Sequence, residues 1–263
     1  MCITRFRFYT VCKPSLSLFL SVVSTPQLLF FPFKVQTMGG LRDAYLLLYN
    51  GGMCVGWATI LAKIYIHLST GGSIDTVYPL IEQLLMVCQT GAVAEIIHAW
   101  TGLVRSPVGT TFLQVLSRLL VLYGSLRIGE TASRTNPMLV QMLTAWSLSE
   151  IIRYSFYTAK LVNKESKAIN WLRYSGFMIL YPVGITGEIG SLYNALPFIK
   201  ENKPWSVELP NKWNFSFSWY NTVWFLLLGV YPYGSYVMYS YMLSQRRKAF
   251  AKQDKDQQAA KAE

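Results

Sequence analysis

A tyrosine and a glutamate stand seven residues apart in an apolar stretch, and together they carry the groups needed for proton transfer. Tyr181 opens and Glu188 closes the segment Tyr-Pro-Val-Gly-Ile-Thr-Gly-Glu. Seven residues make nearly two helical turns, so both side chains project to one side, about 10 Å apart along the axis. In a dry pocket, a phenol and a carboxyl group can exchange protons with a molecule bound between them.

The same spacing has a structural interpretation. Pro182 and the glycines at 184, 187 and 190 can bend a helix or let a ligand approach closely. Small residues at this spacing are also typical of helices that pack together in membranes. Tyr181 and Glu188 would then only hydrogen-bond across helices, and spacing alone does not decide between the two interpretations.

Other ionisable residues lie inside apolar stretches, namely Glu95, His98, Arg118, Glu150 and Arg153. A charge within a membrane span costs at least about 2.5–3.5 kcal/mol on insertion scales, so each is a functional candidate by default. Glu95 with His98, and Glu150 with Arg153, are three residues apart and share a helix face. Neutralisation within each pair is as good an interpretation as a functional role.

The composition indicates how these residues are positioned. Of the 263 residues, 52% are hydrophobic and only 14% are charged, against roughly 25% charged in a soluble domain. A bilayer span needs about 20 mostly apolar residues. Six stretches qualify, and they predict an all-α fold, a polytopic membrane bundle of six transmembrane helices: 44–62, 83–104, 108–126, 138–159, 174–199 and 217–243.

The distribution of basic residues predicts the orientation. In a six-span arrangement, thirteen Lys and Arg residues fall on the side of both termini and six on the other side. Cytoplasmic loops are enriched in Lys and Arg, so both ends are expected in the cytosol. The net charge of +11 lies in loops and tails without interleaved exposed aromatics, which argues against a nucleic-acid partner.

The first 38 residues are ambiguous. Residues 14–33 are uncharged and follow Arg5, Arg7 and Lys13, which resembles a signal peptide or a seventh span, although three prolines make a poor helix. Because Met38 precedes the first clear span, an extension upstream of the true start is the third alternative. We expect an N-terminal extension over 1–38, a six-span domain over 39–245 and a charged cytosolic tail over 246–263.

The sequence lacks the residues that several other kinds of site require. Two histidines are too few for a multi-His metal site, and the nucleotide motifs GxGxxG and GxxxxGK[ST] are absent. The sequence contains neither a GxSxG elbow nor a phosphatase-type C-x5-R loop. No metal or cofactor is therefore expected. The four cysteines form no CxxC motif, and Cys54 and Cys88 are interpreted as small buried residues.

A series of ordered motifs carries a family resemblance. They are Glu95-Ile96-Ile97-His98, Gly102-Leu103-Val104-Arg105-Ser106, Thr111, Gln114-Val115, Ser117-Arg118, Trp146-Ser147, Glu150, Ile152-Arg153-Tyr154, Leu172-Arg173-Tyr174, Leu180-Tyr181-Pro182, Gly184 and Glu188. In this order and spacing, over roughly 41–245, the chain resembles the 3-hydroxyacyl-CoA dehydratases of very-long-chain fatty-acid elongation, also called protein-tyrosine-phosphatase-like proteins. The leader before Met38 lies outside the pattern.

The resemblance implies a six-span enzyme of the endoplasmic reticulum membrane, a hydro-lyase that converts very-long-chain (3R)-3-hydroxyacyl-CoA to trans-2-enoyl-CoA. It implies that Tyr181 and Glu188 are the catalytic pair. It also implies partners in the elongation cycle, namely the condensing enzyme, the 3-ketoacyl-CoA reductase and the trans-2-enoyl-CoA reductase. Positions important to family activity are matched by Arg118, Glu150, Arg153, Arg173 and Gly184.

Given that substrate, one group must accept the C2 proton and another must help the C3 hydroxyl leave as water. Our hypothesis makes Glu188 the base and Tyr181 the acid, with the two roles exchangeable. Burial disfavours the charged forms of both groups, so Arg118 or Arg153 is expected to keep Glu188 ionised.

Positive charge near the cytosolic end has two interpretations. Lys160, Lys164 and Lys167, with Arg173, could meet the CoA phosphates, but ordinary topology signalling is the favoured explanation of this loop. Aromatic residues late in the chain are interpreted as interfacial anchors or packing residues: Trp219, Trp224, Tyr231, Tyr239 and Tyr241.

Two other functions compete with a dehydratase. A small transporter would use the buried charges as a pathway, but such proteins often carry two related halves, and the sequence shows none. A silent scaffold of the elongation complex would not need to keep both Tyr181 and Glu188.

Overall fold

The computed structural model describes residues 39–128, 133–164 and 166–262. The predictions for the leader, 1–38, therefore lie outside the described residues. Most of the described chain is helical, and the strand-like pairing found there is an isolated antiparallel bridge between Val207 and Phe217. The all-α prediction is confirmed.

The helices follow one another mostly with short connections, and a longer one spans residues 203–218. Their bounds are α1 Gly39–Ser69, α2 Val77–Gly91, α3 Val93–Trp100, α4 Val108–Val121, α5 Pro137–Leu161, α6 Lys167–Ser175, α7 Phe177–Asn202, α8 Trp219–Phe225 and α9 Tyr231–Ala262. A 3₁₀ turn over Ile74–Thr76 precedes α2. Two π turns follow α4 and α8, at Leu122–Leu126 and Leu226–Val230. The last helix continues through the segment expected to be a tail.

Local sequence explains several helix starts. Asn136 caps α5 by accepting a hydrogen bond from the Met138 amide at 2.9 Å, and Pro137 occupies the first turn, where its missing N–H costs nothing. Ser166 caps α6 in the same way, through the amide of Ile169 at 3.1 Å. These caps fix where the polar connections end and the apolar helices begin.

Each of the six predicted stretches coincides with a helix or with two helices in series. By length and composition, two described helical segments can cross a membrane, Gly40–Ser69 and Ile74–Trp100. Only 28% of the apolar window of each is buried, unlike the core helix of a soluble protein, so they indicate a membrane protein. Large apolar side chains also face outward on several helices, including Leu48, Val55, Val87, Ile179 and Leu228.

The other four stretches fall short of the same criterion for identifiable reasons. Helix α4 has 14 residues and α8 has 7, both fewer than the roughly 20 that a span needs, and each continues into a π turn. Helices α5 and α7 are long enough but carry polar and charged side chains. Six transmembrane helices therefore stay a prediction.

Contacts between helices show that the successive stretches alternate in direction. The Arg42 side chain near the start of α1 donates to the Leu103 carbonyl just after α3, at 2.6 Å. At the start of α7, Ser175 accepts from Arg246 of α9 at 3.2 Å. Cys54 and Tyr65 of α1 lie 3.4 and 3.5 Å from Ser155 and Thr144 of α5, so these helices run antiparallel. Thr90 near the start of the second stretch lies 3.2 Å from Tyr123 near the end of the third. The start of α1, the connection between α5 and α7, and the distal part of α9 therefore share one end of the bundle.

Helices α5 and α7 pack closely where their small residues meet. A Cβ atom added at Gly187 would lie 2.9 Å from the backbone nitrogen of Met142. At Gly184 it would lie 3.6 Å from the Ala145 Cβ, an ordinary contact. The Gln141 amide ties the helices further by donating to the Thr186 hydroxyl at 2.7 Å. Packing is thus one function of the glycine series.

Replacing Gly187 by alanine is expected to destabilise the protein by about 1–3 kcal/mol, because the new methyl group overlaps the Met142 backbone, which cannot move as a side chain can. Thermal unfolding in detergent measures the effect. Gly52→Ala is the matched control, since a Cβ there meets nothing within 4 Å and alanine favours a helix. Equal stability of the two variants would contradict the close approach of α5 and α7.

Candidate active site

Glu188 is a buried carboxylate at which three helices meet. It lies in the middle of α7 and is 8% exposed. Its Oε1 accepts a hydrogen bond from the indole N–H of Trp146 on α5 at 2.8 Å. Its Oε2 accepts one from the hydroxyl of Tyr231 on α9 at 2.9 Å. Each carboxylate oxygen therefore has its own donor, and each donor comes from a different helix.

Tyr181 lies two turns before Glu188 on the side of α7 that also faces α9. Its ring is 6.1 Å from the ring of Tyr239, centroid to centroid. The phenol interacts with the side chain of Ser235 and, electrostatically, with Glu188. The structure thus brings the predicted pair together on one face of the helix, against one neighbouring helix.

A network of four charged side chains lies beside this pair. Glu150 forms ion pairs with Arg118 and Arg153, and the Arg153 Nε donates to its Oε2 at 3.0 Å. Arg153 also binds Glu95 at 2.8 Å through Nη2. The two arginines and two glutamates have no net charge together, and their mutual attraction offsets the free-energy cost of burying them.

Trp146 connects the network with the carboxylate. The Arg118 guanidinium lies 5.5 Å from the centre of the Trp146 ring, within the range of a cation–π contact, while the indole N–H donates to Glu188. Arg118 also acts on Glu188 through its charge. The Trp146 side chain therefore links Arg118 to the Glu188 carboxylate.

The direct partners of Glu188 differ from those expected. We predicted that Arg118 or Arg153 would keep Glu188 ionised. Arg118 acts on Glu188 through its charge without binding it, because both arginines pair with Glu150, and Arg153 also holds Glu95. The groups that contact Glu188 are neutral donors. The reason is competition, since an arginine with five donors binds the carboxylates that it can reach in fork geometry.

Glu95 and His98 do not neutralise each other as their spacing suggested. Glu95 turns to Arg153 and accepts a short hydrogen bond from Tyr154. The His98 Nε2 instead lies 2.8 Å from the hydroxyl of Tyr45 on α1. By contrast, the predicted contact between Glu150 and Arg153 is present as an ion pair.

Among the described residues, the Glu188 side chain forms no hydrogen bond or ion pair with the remaining candidates, although Gly184 lies one turn before it on α7. Arg173 forms no ion pair with the described residues, and its guanidinium is 5.9 Å from the ring centre of Tyr157. Gly184 packs against α5. The connection between α5 and α6 exposes Lys160, Lys164 and Lys167. Cys88 is buried and Cys54 half-buried, and both are free thiols, as the interpretation as small buried residues requires.

Two residues of the site were missed. Trp146 belongs to one of the family motifs, but no role was predicted for it. Tyr231 was interpreted as an interfacial anchor or packing residue. Both bind Glu188 across more than forty positions of sequence, at separations of 42 and 43 residues, and no local pattern signals such a contact. Trp219 is buried and donates to the Gly124 carbonyl at 2.9 Å, so it serves packing.

The fold and the site define an all-helical protein with a half-buried phenol and a buried carboxylate on one helix face, beside an internal ion network. The chain belongs to the family described as protein tyrosine phosphatase-like protein, PTPLA, whose model matches residues 89–252. The resemblance stated from the sequence motifs is thereby confirmed.

Curated relatives match most of the chain and most of their own length. The very-long-chain (3R)-3-hydroxyacyl-CoA dehydratase PASTICCINO 2 of Arabidopsis thaliana is 43% identical over 218 residues, 82% of this chain and 97% of the relative. PASTICCINO 2A of Oryza sativa subsp. japonica, of the same description, is 42% identical over 81% of this chain and 95% of the relative. Very-long-chain (3R)-3-hydroxyacyl-CoA dehydratase 2 of Homo sapiens is 39% identical over 79% and 81%, respectively. No solved structure matches the chain.

Proposed function

We propose that this chain is a membrane-embedded dehydratase that removes water from very-long-chain (3R)-3-hydroxyacyl-CoA to give trans-2-enoyl-CoA, the third step of the fatty-acid elongation cycle. The names of the curated relatives support the activity. The observation that carries the mechanism is Glu188, a buried carboxylate held by two donors on the helix face that also bears Tyr181.

The reaction breaks one C–H bond and one C–O bond. Glu188 takes the proton from C2, which the neighbouring thioester acidifies, and the electron pair of that bond forms the double bond between C2 and C3. Tyr181 gives its proton to the departing C3 hydroxyl, which leaves as water. A later proton transfer from Glu188 to the Tyr181 phenolate restores the site.

The contacts of Glu188 support its assignment as the base. The indole N–H of Trp146 can only donate, and it points at Oε1, while the Tyr231 hydroxyl points at Oε2. A carboxylate accepts both bonds, and each oxygen keeps a second lone pair for the incoming proton. Tyr181, half-buried beside Ser235, retains the proton that an acid must give.

The substrate would lie with its two ends in different surroundings. The acyl chain is apolar and would enter between the helices, and the CoA phosphates would meet the basic end of the bundle, where Lys160, Lys164 and Lys167 are exposed. The helix alternation, the outward-facing apolar side chains and the distribution of Lys and Arg support six spans with both termini cytosolic. The endoplasmic reticulum membrane and the other elongation enzymes belong to the same proposal.

The proposal is tested with the full chain reconstituted in lipid vesicles. The sample is supplied separately with the (3R) and (3S) forms of a long-chain 3-hydroxyacyl-CoA, and the products are separated by mass spectrometry. We expect trans-2-enoyl-CoA from the (3R) form alone, beyond the rate in empty vesicles. Correctly folded protein that forms no enoyl-CoA from either substrate would overturn the proposal.

A further inference from the structure

The last helix presents a row of polar side chains to the proposed catalytic pair. Tyr231, Ser235 and Tyr239 are four residues apart, so they lie along one face of α9. Tyr231 donates to Glu188, Ser235 interacts with the phenol of Tyr181, and Tyr239 lies against its ring. Each member of the pair therefore has a partner on α9.

A π turn places Tyr231 on the buried side of this helix. Trp219, Val223 and Leu227 are buried at intervals of four, and Tyr231 continues the series. Because a regular helix turns about 100° per residue, side chains four residues apart differ by about 40° in their direction around the axis. The turn at Leu226–Val230, closed by the Tyr231 amide on the Leu226 carbonyl, takes one extra residue and reverses that difference. Such single turns occur frequently at functional sites.

The hydroxyl of Tyr231 restrains the Glu188 carboxylate, which packing of the Tyr231 ring alone would not do. With Trp146 on one carboxylate oxygen and Tyr231 on the other, Glu188 cannot rotate about its last side-chain torsion without losing a bond. Proton abstraction needs the base within hydrogen-bond reach of the proton and aligned with it. A carboxylate held from two helices is aligned before the substrate arrives.

We propose that Tyr231 is a positioning residue of this site and that its hydroxyl orients the Glu188 carboxylate. This inference rests on the proposed dehydratase function. It assigns to the sixth helical stretch a part in the chemistry, although the groups that react with the substrate lie on α7.

The test compares kcat and KM of vesicle-reconstituted variants on a long-chain (3R)-3-hydroxyacyl-CoA. Tyr231→Phe keeps the ring and removes the hydroxyl, and we expect kcat to fall by about 10- to 100-fold, the range that a hydrogen bond to a charged group corresponds to. KM should change by less than about twofold, because the substrate contacts remain. Tyr236→Phe is the matched control, since Tyr236 is on the same helix but 74% exposed, and it should behave as the wild type.

A double-mutant cycle separates positioning from packing. In a Glu188→Gln background, Tyr231→Phe should cost less than about threefold in residual kcat, because no carboxylate is left to orient. If Tyr231→Phe does not accumulate as folded protein, Trp146→Phe is measured instead. It removes the donor on the other carboxylate oxygen of Glu188, and its kcat should fall with KM unchanged. Wild-type kcat in the variant measured, or an equal fall in both Glu188 backgrounds, would overturn the inference. An inactive wild-type protein would instead refute the proposed function itself.

Discussion

Replacing Glu188 by glutamine is expected to lower kcat for water loss by about 100- to 10,000-fold, the usual contribution of a general base. Glutamine is nearly the same size, and its carbonyl oxygen can still accept from the Trp146 indole, so the helix packing is retained. The amide cannot take a proton from C2. The measurement is the initial rate of enoyl-CoA formation by equal amounts of folded protein.

A second glutamate of the same helix supplies the control. Glu201 is exposed at the end of α7, so Glu201→Gln makes the same chemical change far from Glu188. It should leave kcat within about twofold of the wild type. A Glu188→Gln protein as active as Glu201→Gln would show that the base is another group.

Arg153→Met is expected to destabilise the protein by about 3–5 kcal/mol, the cost of breaking a buried ion pair by removing one partner. Methionine fills a similar volume but leaves Glu95 without its arginine and Glu150 with Arg118 alone. In the low dielectric of a helix bundle, an unpaired carboxylate is costly. Thermal unfolding in detergent, followed by circular dichroism, measures the loss.

The same chain contains an exposed ion pair for comparison. Lys203 binds Glu208 at 2.5 Å with both side chains more than half exposed, and such pairs contribute about 0–1 kcal/mol. Lys203→Met should therefore shift the unfolding midpoint far less than Arg153→Met. Similar shifts in the two variants would mean that the network around Glu150 is not buried as the structure has it.

Much of the architecture could be predicted because long apolar runs are a strong signal in a sequence. The six apolar stretches coincide with helices. A helix pairs the backbone N–H and C=O groups of a long apolar run within the run itself. The side shared by Tyr181 and Glu188 followed from helical geometry alone, and both contact α9. The ion pair of Glu150 with Arg153 followed from their spacing of three.

The cross-helix partners could not be predicted, because they depend on how helices rotate against one another. Glu95 could bind His98 nearby or Arg153 at a separation of 58 residues, and the rotation of α3 against α5 selects the second. Tyr231 was expected to be an interfacial anchor or a packing residue. A π turn with one extra residue instead directs Tyr231 toward Glu188. The position of such a turn cannot be read from the sequence.

The most direct test of the central claim compares the wild type with a Tyr181→Phe, Glu188→Gln double variant in the same vesicles. Both are supplied with long-chain (3R)-3-hydroxyacyl-CoA, and trans-2-enoyl-CoA is measured over time. We predict product from the wild type and only the background rate from the folded double variant, because it has neither the base nor the acid. Enoyl-CoA formed by the double variant at the wild-type rate would contradict the assignment of this pair.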